Sequence, residues 1–283
     1  MQTLQLKTFA EGFVFLEGPR WRNGRLWVSD AFGKAVYTVT PDGTRAKIID
    51  VPHGPSGIGF LPDKTPVIVS MGDRCLYRLV DGGLILYADI SKLVNSDIND
   101  MVMDARGNAY VGNLGYDLFS GAEMKLTNLV LVTPDGKARE VANGLAVPNG
   151  PVITPDGKKL IVAESMGRKL TAFDIQADGS LINQRVFADL GGAEPDGICL
   201  DAEGAVWLAA INRRGFLRVK EGGEVTHKIE TGKRMAIACT LGGADGRTFY
   251  GLTFEGAFRD IPKGGLNSRI EIARVEAGAS GSP

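Results

Sequence analysis

Six stretches of this chain share one layout, and that repetition limits its fold more than any other feature. They are FAEGFVFLEGPRW, IIDVPHGPSGIGF, YADISKLVNSDINDMVM, VANGLAVPNGPVI, FADLGGAEPDGICL and IETGKRMAIACTL. Each opens on an apolar residue or pair near an acid or Asn. A short variable link follows, then one marked residue, usually Gly next, and then an apolar strand. The marked residues are Glu17, Ser56, Asn99, Asn149, Asp196 and Ile237, spaced 39, 43, 50, 47 and 41 residues apart. A repeat of this period is the signature of stacked or radially arranged units, each too small to bury its own apolar face.

The residues beyond each marked position identify the unit. A turn such as RNG, ARG or PDG leads to a second strand (LWVSD, AYVGN, LIVAE, VWLAA), a looser loop to a third (AVYTV, CLYRL, LTAFDI), and another Gly turn to a fourth. Short strands rich in β-branched and aromatic residues, with turn signals every eight to twelve residues, argue for an all-β chain. Four antiparallel strands in about 40–45 residues is the blade of a β-propeller. Six units give a six-bladed β-propeller, read as one domain over residues 1–283, since no linker divides the chain. The 38 glycines and 13 prolines suit a fold this dense in tight turns. Residues 3–11, TLQLKTFAE, resemble the fourth strands of other units, whereas the last unit ends near RIEIARV without one. The N-terminal strand is therefore expected to close the last blade and remove an open sheet edge.

In a propeller the first strand of each blade lines the central channel. The marked residues then ring one mouth of that channel, with Gly after them so that the backbone can crowd the axis. The ring reads Glu, Ser, Asn, Asn, Asp, Ile. Two carboxylates and two amide oxygens at one mouth repel each other and lack partners if nothing sits between them. A hard divalent cation answers both problems. Ca²⁺ is favoured by an all-oxygen set, and Mg²⁺, Mn²⁺ and Zn²⁺ are compatible. Asp100 stands where other units mostly carry Gly. It reads as an unpaired carboxylate at the same mouth.

The segments LEGPRW (16–21), INDMVMDARGNAYVGN (98–113), VPNGPVITPDGKKLIVAE (147–164) and PDGICLDAEGAVW (195–207) resemble the senescence-marker-protein / gluconolactonase / luciferin-regenerating-enzyme family. The resemblance covers most of the chain in order. It implies a six-bladed propeller and a divalent-cation hydrolase acting mostly on sugar lactones, with related propellers cleaving phosphofluoridates and similar esters. Carried over by position, Glu17, Asn149 and Asp196 match the family's metal ligands. Asn99 matches an Asn that ligates metal in some members and contacts substrate in others. One departure stands out: the sugar lactonases often carry Arg two residues before that Asn, and here the position is Asp97.

Opening a lactone requires a polarised carbonyl, a nucleophilic water and relief of charge on the oxyanion. Asp196 is the candidate base by resemblance. A carboxylate that also ligates a cation is held acidic, which keeps Asp100 as a rival. Specificity is expected from the loops after the second strands. Asn113, Tyr116, Asp117 and Arg213 are the substrate-binding candidates beside Asn99, and Asp30, Met71, Glu164, Met166 and Asn212 are further ones. The longest unit carries its surplus in GYDLFSGAEMKLTN (115–128), a candidate lid or binding loop.

Other classes are set aside on composition. A formal net charge of −1 gives no basic field for nucleic acid or an anionic membrane. No apolar run is long enough to span a bilayer, and MQTLQLKTFAEG does not read as a secretory signal. Cys75, Cys199 and Cys239 read as small core residues, fitting a reducing cytoplasm rather than a disulfide framework. His53 and His227 are too few for a His-rich zinc site or a Ser-His-Asp triad. The expected activity is a metal-dependent lactonase acting on a small lactone or ester. The alternatives are an organophosphate or other ester hydrolase on the same site, and a non-catalytic propeller whose calcium is structural.

Overall fold

A computed structural model of the chain describes residues 2–118 and 120–281. They form six four-stranded antiparallel blades, one of them extended by a fifth strand. The innermost strands are Leu16–Arg22, Pro55–Phe60, Ile98–Met103, Pro148–Ile153, Pro195–Leu200 and Met235–Gly242. They touch one another in cyclic order, the last returning to the first, around a central channel. Their burial explains the sequence. Inner strands such as INDMVM and PDGICL are buried along their whole length, whereas outer strands such as RAKIID and LINQRVFAD are largely exposed.

The core is distributed. Each of six clusters of buried apolar side chains lies between two neighbouring blades, as with Val36, Val51, Ile58 and Ile68 between the first and second. The turns between first and second strands are chemically determined. In TPDG (154–157), the Thr154 hydroxyl bonds Asp156 at 2.6 Å, Gly157 N–H donates to the Thr154 carbonyl at 2.8 Å, and Gly157 takes φ 69°.

Closure follows the expectation and adds to it. Lys7–Phe13 pairs antiparallel with Ser268–Arg274 as the outermost strand of the sixth blade, with Phe13 fully buried. The likeness to other fourth strands extends this one back to residue 3. Instead, Gln2–Leu4 leaves it and pairs parallel with Val225–Glu230 on the fifth blade. The C-terminal segment also grips this seam, with Ala279 bridging to Asp201 and Ser280 N–H donating to the Leu200 carbonyl. All three cysteines are buried and free. Cys199 and Cys239 lie on adjacent inner strands with their sulfurs 3.9 Å apart, a proximity the sequence did not show.

Candidate active site

Every innermost strand breaks register with its neighbour at the same place. The irregularities fall between Glu17 and Arg20, Pro55 and Ile58, Ile98 and Met101, Pro148 and Pro151, Pro195 and Ile198, and Ala236 and Ala238. Each marked residue lies within or at the edge of such a bulge. A bulge frees a residue from the ladder and turns its side chain. The glycines that follow serve close approach. A Cβ on Gly150 would meet Ile198 N at 2.6 Å and the Asp196 carbonyl oxygen at 2.9 Å, and one on Gly197 would meet Ala238 Cβ at 2.2 Å. The inner strands of the fourth, fifth and sixth blades therefore pack backbone against backbone.

Glu17, Asn99, Asn149 and Asp196 line one cavity and are all nearly inaccessible to solvent. Burial pushes the Glu17 carboxyl well above its ordinary range, and the charges of Asp196 and Asp100 push it further. Burial likewise raises Asp196, with Asp100 adding to the effect. Two buried oxygens of the ring, Asn149 Oδ1 and Asp196 Oδ1, have no hydrogen-bond partner. Buried polar atoms are rarely left so, and here both are acceptors beside strained carboxylates. Donor type, burial and orphaned acceptors together fit an oxygen-ligated divalent cation. Among the described residues, no three His, Cys, Asp or Glu side chains converge as a metal cluster; two of the four ring residues that line the cavity are amides.

Neighbours hold the ring in place. Ser56 donates its hydroxyl to Asn99 Oδ1 at 3.1 Å. Ser165 donates to the Pro195 carbonyl at 2.6 Å and accepts from Asn149 Nδ2 at 3.3 Å. This leaves the Asn149 oxygen turned away from that contact. Val147, a β-branched residue two before Asn149, sits at φ 57° in the left-handed region and lines the same cavity. Such a conformation costs about 1–3 kcal/mol and concentrates at functional sites.

The cavity above the ring holds about 290 Å³. Eleven of its seventeen described lining residues are apolar, among them Phe15, Phe32, Met71, Leu114, Met166 and Ile211. Phe15 sits in the link that enters its inner strand, and the other five come from the loops after the second strands, where specificity was expected.

Several sequence candidates have other employment. Asp100 is not unpaired: its Oδ1 accepts from Arg20 Nη2 at 2.9 Å and from the Met101 N–H at 2.8 Å. Burial raises its carboxyl while Arg20 opposes the rise, and it is not among the residues lining the cavity. Asn113, fully buried, bonds Asn128, Thr127, Ser96 and the Gly115 N–H, so it fastens the long loop rather than facing a substrate. Asp30 accepts the N–H groups of Val14 and Phe15, and Glu164 that of Ala146, each clamping the link that enters its own blade. Tyr116 and Asp117 line a separate polar cavity with Arg74 and Asp97. Arg213 is exposed and donates to the Gly191 carbonyl, and Asn212 ties down the Glu194 loop. Met71 and Met166 do face the main cavity. Reasoning from sequence missed Ser165, Arg20 and Glu194. Arg20 alone left a trace, as a charge in a strand otherwise buried.

A model of the SMP-30/Gluconolactonase/LRE-like region matches residues 15–254. Bovine (Bos taurus) regucalcin is 25% identical over 256 residues, covering 88% of this chain and 79% of its own. The structure of regucalcin from Agrobacterium tumefaciens, described as a calcium-binding protein, superposes with a TM-score of 0.83 at 20% identity, covering 100% of this chain and 98% of its own. A Xanthomonas campestris gluconolactonase gives 0.73 at 23% identity, covering 95% and 89%. At these identities the structural likeness shows the fold. Among the described residues no helix is long and apolar enough to cross a membrane.

Proposed function

The chain belongs to the SMP-30/gluconolactonase/LRE-like family, and from that premise we propose that it is a divalent-metal-dependent hydrolase opening lactones or related esters. The observation carrying this is the pair of orphaned acceptors, Asn149 Oδ1 and Asp196 Oδ1, beside two buried carboxylates on the floor of a substrate-sized cavity. Glu17, Asn99, Asn149 and Asp196 would hold one cation, Ca²⁺ by its preference for oxygen donors. When bound, it supplies Lewis-acid polarisation of an ester carbonyl and neutralises developing negative charge.

The chain's own groups do the rest. The apolar wall excludes bulk water from the acyl group, which strengthens every charge interaction on the floor. Asp196 faces the cavity and is the residue we assign to take the proton from the attacking water. That proton ends on the ring oxygen as the acyl C–O bond breaks, giving a hydroxy acid. Asp100, held behind the ring by Arg20, positions charge rather than touching substrate. The absence of Arg at position 97 leaves the family's sugar contact unmade, which fits a lactone other than gluconolactone.

The test is acid release from a panel of lactones and esters, before and after chelation and with Ca²⁺, Mn²⁺, Mg²⁺ or Zn²⁺ restored. Activity lost on chelation, regained with one metal and abolished in a folded Asp196→Ala variant supports the reading. Full activity in that variant, or none in the wild type with any metal, refutes it. The second outcome would favour a propeller whose cation serves structure alone.

A further inference from the structure

We propose that the substrate of this site is an apolar lactone or ester, one bearing an alkyl or aryl substituent, and not a polyhydroxylated sugar lactone. This rests on the hydrolase reading above and assigns its substrate class. The polar groups of the cavity are confined to its floor and one point on its rim. On the floor, the four ring oxygens are those assigned to the cation. Ser165 has its hydroxyl committed to the Pro195 carbonyl and to Asn149. At the rim, Glu194 is paired with Arg168 at 2.9 Å.

The remaining wall is aromatic and aliphatic. Phe15 and Phe32 meet edge to face with ring centroids 5.9 Å apart, and Met71, Leu114, Met166 and Ile211 complete the circuit. Methionine adapts its shape to varied apolar ligands. Met166 and Phe258 also expose apolar surface at the lip, 40% and 38% respectively. Asp97, Tyr116 and Asp117 line the second cavity, which shares only Leu114 and Leu118 with the first. Those two leucines are the wall that the two cavities have in common. Several hydroxyls buried against this wall would lose water and gain no partner, which disfavours binding severely. An alkyl chain there gains about fourfold in affinity for each methylene buried.

The experiment measures kcat/KM, with the activating metal present, for γ-lactones whose side chains run from methyl to hexyl, beside glucono-δ-lactone and galactono-γ-lactone. A rise of about two- to fourfold per methylene is expected, with both sugar lactones at least about 100-fold below the longest member. Met166→Asp, at a position 40% exposed, is expected to flatten the series. A flat series, or sugar lactones turned over as well as the longest chain, overturns the apolar assignment while leaving a lactonase in place. If no lactone or ester is hydrolysed, the hydrolase reading fails instead. Calorimetry with γ-alkyl-γ-lactams then decides: affinity that climbs with chain length and collapses in Met166→Asp upholds an apolar ligand, and chain-independent binding overturns it.

Discussion

Replacing Arg20 by Met tests the electrostatic account of the channel. Arg20 and Asp100 are both 5% exposed at the side chain, 2.9 Å apart, and Arg20 also donates to the Met101 and Pro19 carbonyls at 2.6 and 2.9 Å. Removing the guanidinium strands the Asp100 charge beside Glu17 and Asp196, whose carboxyls Asp100 already pushes upward. Breaking one side of a buried pair costs about 3–5 kcal/mol, mostly from the charge left behind. With a urea dependence of about 3 kcal/mol per molar for a chain of this size, the unfolding midpoint of the metal-free protein falls by about 1–2 M. Adding Asp100→Asn removes the stranded charge at nearly constant volume, so the double variant should recover all but about 1–2 kcal/mol. Urea unfolding followed by tryptophan fluorescence completes the cycle. A double variant as unstable as Arg20→Met alone would show that packing, not charge, holds this part of the channel.

Three further outcomes are expected from the geometry. Ser165→Ala frees the Asn149 amide to rotate, so Ca²⁺ affinity measured by calorimetry is expected to weaken about 10- to 100-fold, while the lost bond to the Pro195 carbonyl lowers the melting temperature of the metal-free form by only a few degrees; unchanged affinity would remove Ser165 from the site. Glu17 and Asp196 have folded carboxyls raised above their unfolded values, so the stability they leave intact at low pH is lost as pH rises through those raised values. The melting-temperature gain on adding Ca²⁺ should therefore be larger at pH 8 than at pH 5, and an equal gain would contradict the assignment. Deleting residues 1–13 strips the outer strand of the sixth blade and the buried Phe13, lowering Tm by about 10 °C and exposing the edge at Ser268–Arg274 to association; a light-scattering and melting profile like the wild type would refute the closure.

The parts of this molecule that repeat were legible, and the parts built from single contacts were not. Asn149 or Asp196 alone is an ordinary turn residue. Four oxygen-bearing residues in register across units forty to fifty apart could be read as one ring. Asp30 and Glu164 misled because an acid at a mouth looks the same in sequence whether its oxygens face a ligand or a backbone N–H 16 or 18 residues away, and Asn113 misled because its amide serves the long loop of its own blade. The apolar cavity was invisible for a related reason. Loop position marks Met71 and Met166 singly, but nothing in the sequence marks Phe15 and Ile211, from two other blades, as joining them in one apolar wall. Gln2–Leu4 carries no mark of parallel pairing with the fifth blade, because three residues hold no periodicity.

The strand that closes the ring also dictates an order of events. Lys7–Phe13 leaves the ribosome before all the other blades, whereas its partner Ser268–Arg274 emerges only after them. Through nearly the whole of synthesis, the closing strand has no sheet to join, and the growing propeller is an open arc with an unguarded edge at each end. Contacts this distant in sequence form slowly, and unpaired edges invite intermolecular pairing while they wait. Two side chains on the waiting strand's outer positions, Lys7 and Glu11, are charged and exposed, the usual protection of a strand that must stay single. A bulky fusion placed at the N-terminus would therefore burden assembly more than the same fusion on an exposed turn between blades.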